Sequence, residues 1–597
     1  MSVVEKVELQ IQPNDSKEQD VTVVDSYKPV YGVEDVPPWY LCILLGFQHY
    51  LTAFGSTITV PFVLYQALCI GEDGVGLSQL INTIFFMSGL STLLQTTFGI
   101  RLPIIQGATF AFLAPTTAIL EQMGECSMVK DNNVTIAVGS DEHREIWHGR
   151  LREVQGAIMI ASLTQIIIGF SGVMGLLLPH IGPLAIAPTI SLIGLALFPA
   201  AYDFASTQWY IALTTVFFIT LFSQYLQNVS IPIFNYNRQN GCQKQKLFIF
   251  KLFPVLLAML LSWLLCYILT VTNVLTDDVN GWGYLARTDT NPGVLSDAQW
   301  FRFPYPGQWG TPTASVAGVF GMLAGVLASM IESVGDYYAC AKISGARPPP
   351  VHAINRGIGM EGIACVLAGA WGSGNGTTSY SENIGAIGIT KVGSRRVVQV
   401  GGIIMILLGC LGKFGALFVT IPKPVVGGMF LVMFGMITAV GLSNLQYVDM
   451  RSSRNIFILG VSLFFGLCFP SWMSANQDKI NTGSEIFDQI LAVLLSTSMF
   501  VGGVVGFVLD VTIPGTVEER GIHKMRKHDV DVDDSKRDPT YDLPFIQPFL
   551  DKISFLRHLP FCPTYTPLQC NCRKNNLKEE NIETQTDGID NVICEKL

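Results

Sequence analysis

Runs of about twenty apolar residues recur along most of the chain, and that is the length an α-helix needs to cross the hydrocarbon of a bilayer. Fourteen can be marked off, several of them shorter than that, among them Trp39 to Tyr65 (first), Ile104 to Leu120 (third), Val316 to Ala341 (eighth), Ile358 to Ala370 (ninth) and Asn383 to Val392 (tenth). Lipid offers no partner to a backbone N–H or C=O, and a helix satisfies both within one segment. The pattern therefore predicts an all-α polytopic membrane protein of fourteen transmembrane segments. A composition of 49% hydrophobic and 14% charged residues over 597 positions agrees with that and departs from a soluble domain. The net charge of −9 comes largely from the two ends, and no basic cluster is interleaved with aromatic residues, which excludes a nucleic-acid partner. No nucleophile stands beside a base, so nothing points to an enzyme.

Orientation follows from Lys and Arg near the ends of the runs. Residues 1 to 35 are polar and acidic and lack the short apolar core of a cleavable leader, so the N-terminus is expected in the cytoplasm. The even-numbered connections then face inward, and they hold Arg101, Arg238, Lys251, Lys342, Arg347, Arg356, Lys391, Arg395 and Arg451. The expected organisation is a cytoplasmic tail over 1–37, a first seven-span repeat over 38–272, an extracellular connector over 273–315, a second seven-span repeat over 316–512 and a cytoplasmic tail over 513–597. The loop after the third run places a glycosylation sequon at Asn133 outside, whereas those at Asn228 and Asn375 fall inside or within the membrane and are expected to stay unmodified. Cys69 and Cys126 both fall in outside segments, where an oxidising environment permits a disulfide. Between the eighth and ninth runs, Pro348-Pro349-Pro350-Val351-His352 reads as a stiff connector.

The third and tenth runs occupy corresponding places in the two halves. Each is short and set among glycine, serine and threonine: Gln106-Gly107-Ala108-Thr109-Phe110-Ala111-Phe112 in one, Ser381-Glu382-Asn383-Ile384-Gly385 after Gly372-Ser373-Gly374-Asn375-Gly376 in the other. Seven spans per repeat make the repeats inverted, and paired short segments in inverted repeats are the best sequence pointer to a transporter's midplane site. The chain leading into each is expected to be extended, which is tolerated only where it lines a protein cavity.

Glu332 and Asp336 lie four apart in the eighth run and so share one helix face, while Glu382 opens the tenth. A charge at mid-membrane costs at least about 2.5 to 3.5 kcal/mol, so acids placed there mark function. Three carboxylates with no Lys or Arg at comparable depth call for a compensating cation, either sodium on hard oxygen ligands or protons. His49, beside Gln48 in the first run, is a candidate further ligand or an orienting partner.

These residues resemble the nucleobase–ascorbate transporter family. The resemblance runs over roughly residues 36 to 515 and rests on Gln48-His49, on Glu332 with Asp336, and above all on Glu382-Asn383-x-Gly385-x-x-x-x-Thr390-Lys391, the family's signature. It implies two inverted seven-span repeats with short half-helices at spans 3 and 10. A core domain of spans 1 to 4 and 8 to 11 would carry the substrate against a gate domain of spans 5 to 7 and 12 to 14, in an often dimeric plasma-membrane protein working by an elevator-like movement. The family's ascorbate carriers have proline at the first signature position and its nucleobase carriers glutamate or glutamine; this chain has Glu382. The implied function is sodium-coupled uptake of nucleobases such as uracil, with sodium–ascorbate symport on the same fold as the alternative. A channel or non-transporting sensor is the reading from another class, and the three intact acids oppose it.

In that reading Glu332 and Glu382 accept the ring N–H groups of a base. Backbone N–H groups at the two half-helix starts, around Ala108, Thr109 and Ser381, donate to its carbonyls. Phe110, at the family's aromatic position, offers a face to the flat ring. Ascorbate is an anion at neutral pH and would be repelled by two carboxylates. Asp336 stands where many proton-coupled microbial relatives resemble one another in having histidine, so the resemblance implies sodium as coupling ion, with Asp336 and His49 as ligands.

Overall fold

The computed structural model describes residues 29–124, 126, 136–174, 182–237, 241–290, 293–476, 479–516, 519–521, 539–544, 547, 552 and 559–564. The Asn133 sequon lies outside these residues. Among them, eight helices are long and apolar enough to cross a membrane, or nine if the pair Glu485–Ser496 and Ser498–Thr512, bent by 83°, is one span. Other apolar runs are divided into shorter pieces.

The first half begins with α1 (Trp39–Ala67) and α2 (Gly74–Thr97). A three-residue strand β1 (Gln106–Ala108) and a 3-10 turn (Phe110–Phe112) then lead into α3 (Leu113–Gln122), of only ten residues. Next come α4 (Asp141–Ser171), α5 (Pro183–Ala196), α6 (Phe198–Ala205) and α7 (Trp209–Thr220), which widens into a π turn at Leu221–Tyr225. A hairpin of β2 (Ile231–Asn237) and β3 (Gly241–Leu247) precedes α8 (Pro254–Val271).

The second half opens with α9 (Val316–Ser344) and α10 (Val351–Trp371). Strand β4 (Thr377–Ser379) then leads into the ten-residue α11 (Ser381–Thr390). There follow α12 (Arg395–Gly409), α13 (Gly412–Val419), α14 (Lys423–Ser443), α15 (Ser453–Ala475), α16 (Glu485–Ser496) and α17 (Ser498–Thr512).

Helix boundaries follow local chemistry. Ser140 caps α4 by accepting the His143 amide at 3.2 Å, and Ser315 caps α9 by accepting the Gly318 amide at 3.0 Å, each satisfying a donor that the helix leaves over. Helices α9 and α10 end at Gly345 and Gly372, both with positive φ, where glycine closes a helix without steric penalty.

Three expectations need correction. The chain is mostly helical but not all-α, since β1 pairs with β4 and β2 with β3. Val351 and His352 form the first turn of α10 instead of a connector, because proline at 350 needs no N–H and its extended backbone (ψ 157) serves as the N-cap. The eleventh apolar run, Val398 to Thr420, is two helices that part at Cys410 and Leu411, where Leu411 bridges to Phe301 of the long connector.

The helices fall into two packed groups. Helices α1 to α4 pack with α9 to α12, whereas α5 to α8 pack with α14, α15 and α17. The groups meet along α1 against α8 and α14, and along α9 against α5 and α16.

Candidate functional site

The two short helices begin at one point. Strands β1 and β4 are antiparallel, with Gln106 opposite Ser379, Gly107 opposite Thr378 and Ala108 opposite Thr377, so α3 and α11 set out from a shared two-stranded crossing. Side chains then pin the crossing. Asn375 donates through Nδ2 to the Thr109 carbonyl at 3.0 Å, Gln106 through Nε2 to Ser379 Oγ at 2.8 Å, and Tyr380 through its hydroxyl to the Ala108 carbonyl at 2.8 Å. Asn383 accepts the Ile105 amide at 3.1 Å and donates to the Pro103 carbonyl at 3.0 Å, so the second signature residue holds the chain entering β1. Extended backbone inside a membrane protein leaves polar groups that must be paired, and these side chains pair them. The strands approach so closely that a Cβ on Gly107 would lie 2.2 Å from Tyr380 Cζ, and one on Gly376 would lie 2.2 Å from Phe112 Cε2.

A cavity of about 750 Å³ opens in front of the crossing, between the two helix groups. One wall carries Ser56 from α1, Ala108 and Phe110 before α3, Glu332 and Asp336 from α9, and Ser381 and Glu382 from α11. The other carries Ile186, Met433 and neighbours from α5 and α14, and the cavity extends along Lys251, Asn355 and Tyr447. Glu382 sits in the first turn of α11, where the helix dipole favours an anion, and accepts a hydrogen bond from Ser56 Oγ at 2.5 Å. One Asp336 oxygen, Oδ2, is buried with no hydrogen-bond partner among the described residues. The Phe110 ring meets Phe434 of α14 edge to face at 6.1 Å, so it spans the gap between the groups.

The structure thus brings Glu332, Glu382, Phe110, Ala108, Ser381 and Asp336 to one cavity, but not Thr109 or His49. Thr109 is fully buried; its amide donates to the Gly376 carbonyl at 3.3 Å and its hydroxyl accepts the Ala111 amide at 3.1 Å, so both are occupied in the turn before α3. His49 is 1% exposed within α1 and is not part of the cavity wall. No cluster of three or more His, Cys, Asp or Glu side chains arranged to hold a metal occurs among the described residues. Cys69 and Cys126 are joined by a disulfide at the far end of α1.

Reasoning from the sequence missed Glu361. It lies fully buried in α10 and accepts from Ser333 Oγ at 2.6 Å, Gln165 Nε2 at 3.0 Å and Tyr337 Oη at 3.3 Å. Ser333 in turn lies 3.0 Å from Thr378 Oγ1 and accepts the Ser379 amide at 3.3 Å, so Glu361 braces β4 from behind the cavity. The signal was present, since Glu361 is an acid inside an apolar run and the rule that singles out Glu332 covers it equally.

The model of the Permease family, Xan_ur_permease, matches residues 41–474. The chain is 55% identical to Solute carrier family 23 member 2 of Rattus norvegicus over 540 residues, covering 90% of this chain and 82% of that one. It is 50% identical to Solute carrier family 23 member 1 of Mus musculus, covering 95% and 94%. With Nucleobase-ascorbate transporter 1 of Arabidopsis thaliana it shares 35% identity over 86% of this chain and 95% of the relative. A family match over most of the chain, long apolar helices and paired half-helices facing a cavity lead to one conclusion: the chain belongs to the Permease family and is a multi-pass membrane transporter, not an enzyme.

Proposed function

We propose that this transporter is a sodium-coupled symporter carrying nucleobases such as uracil into the cell across the plasma membrane, with both termini in the cytoplasm. The observation that carries the reading is that Glu332 and Glu382 face one cavity at the point where two half-helices begin. A base offers N–H donors beside carbonyl acceptors, which suits two carboxylates set against backbone N–H groups at helix starts. Phe110 supplies a ring face, and Ala108 and Ser381 supply backbone at the rim. Sodium is carried with the substrate and is read onto Asp336, a cavity-lining acid whose buried Oδ2 has no hydrogen-bond partner among the described residues.

The same proposal takes the chain as fourteen segments in two inverted repeats, 38–272 and 316–512. The helix group containing α9 and α11 is the moving core, and the group containing α5 and α14 is the gate of a homodimer. The cavity reaches the end where Lys251 and Asn355 lie, so the conformation is read as open to the cytoplasm. A second reading, sodium–ascorbate symport, draws on the name of the plant relative, which covers both solutes.

Labelled uptake in a host lacking its own carriers, comparing uracil with ascorbate in sodium and in sodium-free buffer, tests both. Saturable uracil uptake that requires sodium is expected. Ascorbate uptake without uracil uptake would overturn the substrate, and full uptake without sodium would overturn the coupling.

A further inference from the structure

Glu382 stands at one end of α11; the other end is held by the N-terminal segment, which shares Arg395 of α12 with a C-terminal segment. The helix leaves through Lys391, which is in the left-handed region at φ 56, one of four such non-glycine residues among those described. A side chain held there is strained and persists only where its surroundings over-determine it. The surroundings here are the N-terminal segment. The Val30 amide donates to the Lys391 carbonyl at 2.7 Å, Tyr31 bridges to Val392, the Gly393 amide donates to the Tyr31 carbonyl at 2.8 Å, and the Arg395 amide donates to the Val33 carbonyl at 3.1 Å.

The C-terminal segment closes on the same place. Arg395 donates to Glu34 at 2.6 Å, to the Arg101 carbonyl at 2.7 Å and to the Thr540 carbonyl at 3.0 Å. Tyr541, 1% exposed, accepts at its carbonyl from Arg356 at 2.7 Å and donates its hydroxyl to the Arg347 carbonyl at 2.5 Å. Arg101, the second contact of Glu34, is itself left-handed at φ 65. Residues 539–542 thus plug a site walled by the ends of α2, α9, α10 and α12, where Arg356 and Arg395 each donate one N–H to a carbonyl of the tail.

We infer that the two cytoplasmic tails form a clasp that positions α11, so that docking of residues 30–35 and 539–542 sets the placement of Glu382 and hence the affinity of the substrate site. The exit of this ten-residue helix has strained backbone bonded to the N-terminal segment, and displacing the exit moves the whole rod. Glu34, Arg395 and Tyr541 are positioning residues and do not touch the substrate. The inference rests on the proposed role of Glu382.

The test uses the full chain and two variants, in lipid nanodiscs for hydrogen exchange and in the uptake host for transport. Glu34→Gln keeps a half-exposed side chain of the same shape and removes only its charge; Tyr541→Ala removes the plug. Hydrogen exchange across residues 384–392 is expected to quicken by about tenfold in both, because local opening becomes easier. The KM for the carried solute is expected to rise about three- to tenfold at unchanged Vmax per surface copy, the pattern of weakened binding without altered chemistry. Unchanged exchange in α11, or faster exchange with an unchanged KM, overturns the inference, as does a pure fall in surface copy number. Should the wild type carry neither uracil nor ascorbate, the substrate proposal fails by itself and exchange in α11 still decides whether the clasp holds the helix.

Discussion

The half-helices α3 and α11 are equal in length and start from one strand crossing, yet they present different chemistry to the cavity. On the α3 side the chain passes through a 3-10 turn, Thr109 caps it from within, and the group turned to the cavity is the Phe110 ring. On the α11 side no side chain caps the helix start, and the first turn carries a carboxylate, Glu382, steadied by Ser56. A symmetric scaffold has been furnished asymmetrically. One arm offers an aromatic face and the other an acceptor, the pair that the proposed nucleobase would use.

The largest test of that difference is Glu382→Pro. Position 382 lies in the first turn, where the helix makes no use of the N–H, so proline is tolerated there and the substitution removes the carboxylate without breaking α11. Nucleobase uptake is expected to fall by about a hundredfold, the scale of losing hydrogen bonds to a charged group, with surface expression retained. Uptake equal to wild type would show that Glu382 does not touch the substrate and that the two arms are chemically alike.

Gly107→Ala attacks what the arms share. The added methyl would fall 2.2 Å from the Tyr380 ring, forcing β1 and β4 apart at a cost of about 1 to 3 kcal/mol from overpacking. Thermal unfolding of the purified protein in detergent should show a lower midpoint, and an unchanged midpoint would mean that the crossing is not rigid. The smallest effect is expected from Phe110→Ala. Losing a stacking face worth about 0.5 to 1.5 kcal/mol should raise the KM for uracil by about two- to tenfold while leaving the sodium dependence intact. A shift in sodium dependence instead would place Phe110 with the ion and not with the base.

Much of this was legible beforehand because the bilayer limits what a chain can do. Long apolar runs must be helices, short ones flanked by glycine are read as half-helices in a protein-lined cavity, and acids at depth must be paired inside the protein or face a cavity. Such reasoning singles out Glu332, Asp336 and Glu382, the resemblance adds Phe110, and all four line one cavity. Thr109 and His49 lie near the cavity in sequence but not on its wall, because one-dimensional proximity does not say which way a turn points its side chain. Glu361 obeyed the same rule as Glu332 and belongs to the brace, since its partners Gln165, Ser333 and Tyr337 come from α4 and α9.

By itself the sequence determined the class, a polytopic transporter, and the identity of the groups available for binding, since hydropathy and buried charge are properties of residues. Only the tertiary structure decided which of those groups meet. The pairing of β1 with β4, the reach of Ser56 to Glu382 across 326 positions, and the meeting of residues 30–35 and 539–542 at Arg395 just past α11 join segments far apart along the chain. Such contacts depend on how the helices pack against one another, and no local pattern of residues carries that information.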